Sequence, residues 1–414
     1  MNKEFFAGKR VLIMGLGRFG GGVDAAKFAA KAGAKVIVTD LASHEQLSDS
    51  ISQLEEFGDI EFHLGSHNAI DFEQADIIIA NPAVPGDNGF LEIARRHNKF
   101  ITSQIGIFFE FCPAQIIGIT GANGKSTTAA LTAHLLRNAG EAKVWLSGNI
   151  GNEPLLTRLD QIAPDDLVVL ELSSFQLEQL AQIQKAPTVA LLTNLTPNHL
   201  DRYGTFDNYC AAKENIFRFQ KLDDKLPAVS IFNAEDEVSA EWFEKYKRDA
   251  GRICIAFSAD DISEQIRASF GLPGRANLSN LAASVAVVRH FGIDDDQIRS
   301  SLPQFKALPH RLELVAQING VFWYNDSKAT TPESAIAALE AFEQPTIIIA
   351  GGYDKKVAFD ELGQKIAQKA KAAILLGQTA EEIAKAIKAF STNRTRIEFV
   401  DSLAEAVQLA NRLA

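Results

Sequence analysis

Cysteine is scarce in this chain. Only Cys112, Cys210 and Cys254 occur among 414 residues, and no two stand at C-x-x-C spacing. Neither a disulfide framework nor a thiolate metal cluster is expected, and the three read as small core residues in a reducing compartment. Long apolar runs are missing too: none approaches the roughly 18 residues that cross a bilayer. The opening Met1-Asn2-Lys3-Glu4-Phe5 does not have the pattern of a signal peptide. The chain therefore reads as a cytoplasmic protein with no membrane partner. Runs of Lys or Arg are likewise absent, and 41 basic residues against 52 acidic ones leave a net charge of −11. The broad positive field of a nucleic-acid binder is not there. Any phosphate must be held by local devices, meaning nests of backbone N–H groups and single lysines.

What is present is a steady alternation of short β-branched runs with alanine-rich helical stretches, the pattern of parallel α/β sheets. Three blocks separate, at 1–106, 107–306 and 307–414. In the first, strands are predicted at Val11–Met14, Lys35–Thr39 and Ile77–Ala80, with a helix over Gly22–Ala32. The second has strands at Ile116–Thr120, Leu167–Leu172, Val189–Thr193 and Val229–Phe232, with a helix from Lys125. In the third, strands are predicted at Val321–Tyr324, Thr346–Ala350, Ala373–Leu376 and Arg396–Val400. The expected fold class is α/β in three domains: a Rossmann-like N-terminal domain, a central P-loop ATPase-type parallel sheet and a Rossmann-like C-terminal domain.

Two glycine turns carry the chemistry. Gly15-Leu16-Gly17-Arg18-Phe19-Gly20 fits G-x-G-x-x-G between a strand and a helix, and Asp40 ends the next strand. In that context the glycines let the backbone approach a diphosphate at a helix N-terminus. The alternative is that they only permit tight strand–helix packing, and the pattern alone does not choose among NAD, FAD and a UDP-sugar. Thr120-Gly121-Ala122-Asn123-Gly124-Lys125-Ser126-Thr127 is the sharper signal. Its turn offers successive N–H groups, Lys125 a point charge for β/γ-phosphates and Ser126 a hydroxyl for Mg²⁺. Ile119 stands where a strict Walker A would have its first glycine, yet the arrangement reads as an ATP site.

Around it stand candidate metal residues. The apolar run Val168-Val169-Leu170 ends in Glu171, where a P-loop enzyme places its Mg²⁺ carboxylate. A solvated strand end is the bland alternative. His199 follows the strand that ends at Thr193-Asn194, at the sheet edge where such folds bind ligands; a lone histidine is more often structural. Lys213 looks like an exposed helical lysine.

Together these features resemble the Mur ligases. The generic signatures are Gly121–Thr127, His199 and the Asn277/Asn280 pair. The discriminating ones are Leu170-Glu171-Leu172-Ser173-Ser174-Phe175-Gln176-Leu177, Pro309-His310-Arg311-Leu312-Glu313 and Asn325-Asp326-Ser327-Lys328-Ala329-Thr330. The resemblance implies an ATP-dependent ligase that adds D-glutamate to UDP-N-acetylmuramoyl-L-alanine through an acyl phosphate, acting as a monomer in peptidoglycan precursor synthesis.

It further implies that Gly15, Gly17, Arg18, Phe19, Asp40, Asn149 and Ser173 bind the UDP-sugar. Gly121, Asn123, Gly124, Lys125, Ser126, Thr127, Asn277, Asn280, Arg311 and Asp326 would bind ATP. Lys328, Thr330 and Lys355 would face the amino acid, on a third domain that closes over both nucleotides. Lys125, Glu171, His199 and Lys213 would be catalytic. Ser126 and Glu171 would hold one Mg²⁺, and His199 with Lys213, as a carbamate, a second. An unmodified ammonium ~4 Å from a dication would be repelled by roughly 8 kcal/mol at an effective dielectric of about 20, which the carbamate reverses. The sequence departs from the family at Ala276, where a histidine is usual, and in the short stretch between Phe257 and Gly274. Relatives also continue beyond the position of Ala414 into another strand and an amino-acid-contacting turn, so a truncated third domain is expected. The competing readings are a folylpolyglutamate-type or other Mur-type ligase, a non-catalytic nucleotide-binding relative, and a dehydrogenase.

Overall fold

A computed structural model describes residues 3–18, 20–140, 142–148, 154–354, 357–390 and 395–414. The chain divides into two compact units, one of Met1–Ser258 with Ala283–Ile293 and one of Ala259–Ala282 with Asp294–Ala414.

The first unit contains two parallel sheets. One is built from β1 (Arg10–Met14), β2 (Lys35–Asp40), β3 (Glu61–Leu64), β4 (Ile77–Ala80) and β5 (Phe100–Thr102) in the order β3-β2-β1-β4-β5. The other comprises β6 (Gln115–Thr120), β7 (Val144–Gly148), β8 (Leu167–Glu171), β9 (Val189–Leu192), β10 (Ala228–Asn233) and β11 (Arg252–Phe257) in the order β11-β10-β9-β6-β8-β7. All ladders in both are parallel. The central strands are covered on both faces, which is why Val11–Met14, Ile77–Ala80 and Val189–Leu192 read as unbroken apolar runs and are buried throughout.

In each sheet the strand order reverses beside one strand, β1 or β6. A ligand crevice opens at the carboxyl end of such a strand, and there the two glycine turns lie. The layers are pinned together by Asp24, a 1% exposed carboxylate on the Gly21–Lys31 helix. It accepts hydrogen bonds from Gln104 Nε2 and from the Leu156 and Thr157 amides at 2.9–3.0 Å.

The second unit has a parallel sheet of β14 (Thr346–Gly351), β15 (Ala370–Leu376) and β16 (Arg396–Phe399). The strand expected at Val321–Tyr324 does not join it. It forms β13 (Val321–Asn325) of an antiparallel hairpin with β12 (Glu313–Ile318). The intervening Asn319 and Gly320 have φ of 51° and 83°, the doubly positive pair of a two-residue primed turn, which Asn-Gly favours.

Candidate active site

The turn after β6 is built by residues that tolerate its geometry. Gly121 has φ +148°, and a Cβ there would fall 1.9 Å from Thr193 Oγ1. Gly124 takes φ +81° at the start of the Lys125–Ala139 helix. Asn194, beyond β9, closes the turn from outside. Its carbonyl accepts from the Ala122 amide at 2.8 Å and its Oδ1 from the Asn123 amide at 2.9 Å. Thr193 Oγ1 donates to the Asn123 carbonyl at 2.6 Å. Two amides that the sequence reading offers to phosphate are thus turned to Asn194. Neither Thr193 nor Asn194 is singled out by the sequence reading; the signal available was their place at the end of the adjoining strand. Lys125 Nζ folds back onto the Ala122 carbonyl at 2.9 Å.

The structure brings Glu171 and Ser126 together. Ser126 Oγ donates to Glu171 Oε2 at 2.7 Å, and both side chains are buried. The Glu171 position is tight, because Gly148, at φ +103°, lies so close that a Cβ would meet the Glu171 carbonyl at 2.1 Å.

Lys213 corrects the sequence reading. It is not an exposed helical lysine: on the Phe206–Arg218 helix it points inward and is 2% exposed. Its Nζ donates to Thr120 Oγ1 at 3.2 Å and lies 5.0 Å from the centroid of the Tyr209 ring. Burial, reinforced by the Lys125 charge and opposed by Glu171, pushes its pKa well below the ordinary lysine value. A neutral amine in that place is the form that adds CO₂.

His199 takes a left-handed φ of 52° at the head of the Leu200–Tyr203 turn. Its ring lies 5.2 Å from Phe175 and 6.4 Å from Tyr209. The residue is exposed, yet partial burial of its ring on that side, with the Lys213 and Lys125 charges, holds its pKa below the histidine norm, against the pull of Asp201. Among the described residues no cluster of three or more His, Cys, Asp or Glu side chains is arranged to hold a metal. A cation at Glu171, or one at His199, therefore needs further oxygens, for which the Ser126 hydroxyl, a modified Lys213 and nucleotide phosphates are suited.

At the other glycine turn, Gly15 and Gly17 have φ of 88° and 64°. Asp40 turns inward to it, accepting from the Gly17 amide at 3.1 Å and the Ala42 amide at 2.9 Å. Asn81 Nδ2 donates to the Gly15 carbonyl at 3.2 Å. Ser173 caps the Ser174–Gln182 helix in a reciprocal capping box with Gln176. Phe19, Asn149 and Lys355 lie outside the described residues, and Arg18 is exposed.

The remaining candidates belong to the second unit. Asn277 Nδ2 donates to the Pro273 carbonyl at 2.8 Å, and Asn280 Nδ2 to Asn277 Oδ1 at 3.4 Å. Asp326 Oδ1 accepts the Leu312 amide at 2.8 Å, which fixes Leu312 at φ +45°, a backbone conformation uncommon for leucine. The Lys328 amide bonds the His310 carbonyl at 3.1 Å, and Thr330 follows two residues on.

Burial raises the Asp326 pKa, with the Leu312 amide and Arg311 opposing. The native state therefore binds its proton more tightly than the unfolded chain. The associated stability is full below about pH 4 and is lost as pH rises through the native value. Asp326→Asn, whose Oδ1 still accepts from Leu312, is expected to remove that dependence. Melting curves from pH 4 to 7 should show the variant gaining a few degrees on wild type as pH rises; a constant gap would contradict this.

Three family models match the chain: "Mur ligase MurD-like, N-terminal domain" over residues 9–103, "Mur ligase middle domain" over 119–270 and "Mur ligase, glutamate ligase domain" over 310–414. It is 39% identical to the UDP-N-acetylmuramoylalanine--D-glutamate ligase of Roseiflexus sp. (strain RS-1), across 90% of this chain and 84% of that protein. To the protein of the same name from Acetivibrio thermocellus it is 36% identical, across 100% of this chain and 90% of the relative. Among solved structures, the UDP-N-acetylmuramate-alanine ligase MurC of Thermotoga maritima aligns with a TM-score of 0.60 at 20% identity, covering 97% of this chain and 92% of that one. MurF of Acinetobacter baumannii aligns with a TM-score of 0.60 at 17% identity, covering 100% and 86%. The latter two likenesses speak to the three-domain α/β fold, whereas the family models and close relatives speak to descent: the chain belongs to the Mur ligase family.

Proposed function

We propose that the chain is an ATP-dependent ligase that joins D-glutamate to UDP-N-acetylmuramoyl-L-alanine in peptidoglycan precursor synthesis. The observation that carries this is identity of 33–39% over nearly the whole chain to proteins of that activity. The reading continues with the enzyme as a cytoplasmic monomer whose domains divide near residues 106 and 306. No described helix is long and apolar enough to cross a membrane.

The turn at Gly121, Asn123, Gly124, Ser126 and Thr127 would hold the triphosphate, with Lys125 on the γ-phosphate. Asn277 and Asn280 would face adenine, Arg311 the phosphates and Asp326 the ribose. Gly15, Gly17, Arg18, Phe19, Asp40, Asn149 and Ser173 would receive the UDP-sugar, and Lys328, Thr330 and Lys355 the D-glutamate. Ser126 and Glu171 would hold one Mg²⁺, and His199 with carbamylated Lys213 a second. Bound there, the cations neutralise charge on phosphate oxygens. The protein's own part is alignment. The substrate carboxylate attacks the γ-phosphorus, ADP leaves, and the glutamate amine then displaces phosphate from the acyl phosphate. Lys125 balances charge on the transferring group.

Phosphate release with ATP, Mg²⁺ and UDP-N-acetylmuramoyl-L-alanine should appear only when D-glutamate is added from a panel of amino acids. Equal turnover with another amino acid would transfer the chain to a neighbouring ligase activity.

A further inference from the structure

The ligase reading leaves unexplained a cationic side chain placed between its two nucleotide regions. Arg202 projects from the Leu200–Tyr203 turn that begins at His199, and the Arg202 and Tyr203 amides both bond the His199 carbonyl at 3.0 Å. Its guanidinium crosses to the first sheet. Nη1 donates to the carbonyls of Pro82 and Ala83, at 3.4 and 3.2 Å, in the loop after β4. Nη2 donates to Glu178 Oε2 at 3.2 Å, and the guanidinium lies 4.1 Å from the centroid of Phe175, the ring that also packs on His199.

The far end of this loop is fixed as firmly. Asn81 Oδ1 accepts the Ala83 amide at 3.0 Å, while Asn81 Nδ2 holds the Gly15 carbonyl. Gly15 packs so closely on it that a Cβ would come within 2.9 Å of Asn81 Cβ. An unbroken chain of hydrogen bonds and ring contacts thus runs from the Gly15 turn through Asn81 and Arg202 to His199. A lysine could keep the Glu178 ion pair but not the planar stacking and divergent donors.

We propose that Arg202 is a positioning residue that ties the loop beside the UDP-sugar to the His199 turn, so that sugar binding and metal–nucleotide binding strengthen each other. The inference rests on the ligase reading, which places the sugar at the Gly15 turn and a cation at His199. Coupling of this kind is reciprocal and is measured as a ratio of affinities.

The test is calorimetric titration of the full chain with UDP-N-acetylmuramoyl-L-alanine, with and without Mn²⁺ plus a non-hydrolysable ATP analogue. In wild type the sugar should bind about tenfold more tightly when metal and nucleotide are present. Arg202→Ala should reduce that ratio to no more than about twofold, with Arg202→Lys in between. Glu178→Gln, which removes the ion pair at constant size, should give a partial loss and guards against an Ala variant that does not fold. A merely structural arginine would lower the melting temperature and weaken both titrations equally, leaving the ratio intact, and that result would overturn the proposal. Wild type that binds the sugar without any coupling would also overturn it while leaving the ligase reading in place. Failure to bind the sugar at all would remove both.

Discussion

Lys213→Ala is expected to lower turnover by about 10²–10³-fold, with partial recovery when short carboxylates such as acetate or propionate are added. The lysine is deeply buried, its Nζ on Thr120 Oγ1 and within the influence of Lys125 and Glu171. An ammonium there is costly to bury and repelled by a second cation, so the neutral amine is favoured. It can add to CO₂ with loss of a proton, giving an anionic carbamate with two oxygens. Alanine leaves a space that a small carboxylate can fill. Steady-state phosphate release with and without the added acid is the measurement; near-normal rates in Lys213→Ala would remove the lysine from the mechanism.

A companion variant separates function from stability. Because the native pKa of Lys213 is lowered, the unfolded chain binds the extra proton, and wild-type stability rises with pH up to the ordinary lysine value of about 10.4. Lys213→Met fills the same space without that penalty. In bicarbonate-free buffer it should melt above wild type at pH 7, and the gap should close as pH approaches 10. An inactive but more stable enzyme is the expected outcome, as at sites where function opposes stability.

Gly148→Ala is expected to be the most damaging single methyl in the central sheet. Its Cβ would meet the Glu171 carbonyl at 2.1 Å, with the Glu171 amide nitrogen and carbonyl carbon at 2.8 and 2.9 Å. These are backbone atoms of β8, which cannot swing aside as a side chain end could. The φ of +103° is also one that alanine avoids. Relief requires β7 and β8 to part at the point where Glu171 meets Ser126. A loss of about 3–5 kcal/mol is expected in urea denaturation, together with weaker Mn²⁺ binding in the presence of nucleotide. A Gly148→Ala variant with wild-type stability would mean that the strand ends are looser than the geometry shows.

The strands legible in the sequence and those that escaped it differ in one physical respect. Val11–Met14, Ile77–Ala80 and Val189–Leu192 lie inside their sheets, covered on both faces, and their burial is written as continuous apolar runs; Ala228–Asn233 is as buried but carries Ser230 and Asn233. Glu61–Leu64, Phe100–Thr102, Val144–Gly148 and Arg252–Phe257 are the edge strands of the first unit among the described residues, and none of them stands out in the sequence. Three of them are largely half-exposed; polar residues break up Glu61–Leu64 and Ser147-Gly148 end the fourth, whereas Ile253-Cys254-Ile255-Ala256-Phe257 is apolar throughout and lacks only full burial. The β12–β13 hairpin carried a local signal, Asn319-Gly320, that an expectation of parallel strands obscured. Its two positive φ angles are those of the tight antiparallel turn.

What the sequence determined by itself is local chemistry. A glycine beside a strand permits a close backbone turn wherever it occurs, and Lys125, Ser126 and the helix start are neighbours in the chain, although Asn194 from beyond β9 closes the turn they follow. Glu171 could be placed near that element because strand ends share one edge of a parallel sheet. Burial and encounter are not local quantities. Lys213 reads as a surface lysine on its helix and becomes a desolvated amine only because the fold buries it against residues such as Thr120, 93 residues earlier. Arg202 becomes a tie between the His199 turn and the first sheet only when a loop 119–120 residues away presents its carbonyls. Such contacts depend on how separate sheets pack, and tertiary structure decided them because desolvation and hydrogen-bond geometry arise from residues distant in the chain.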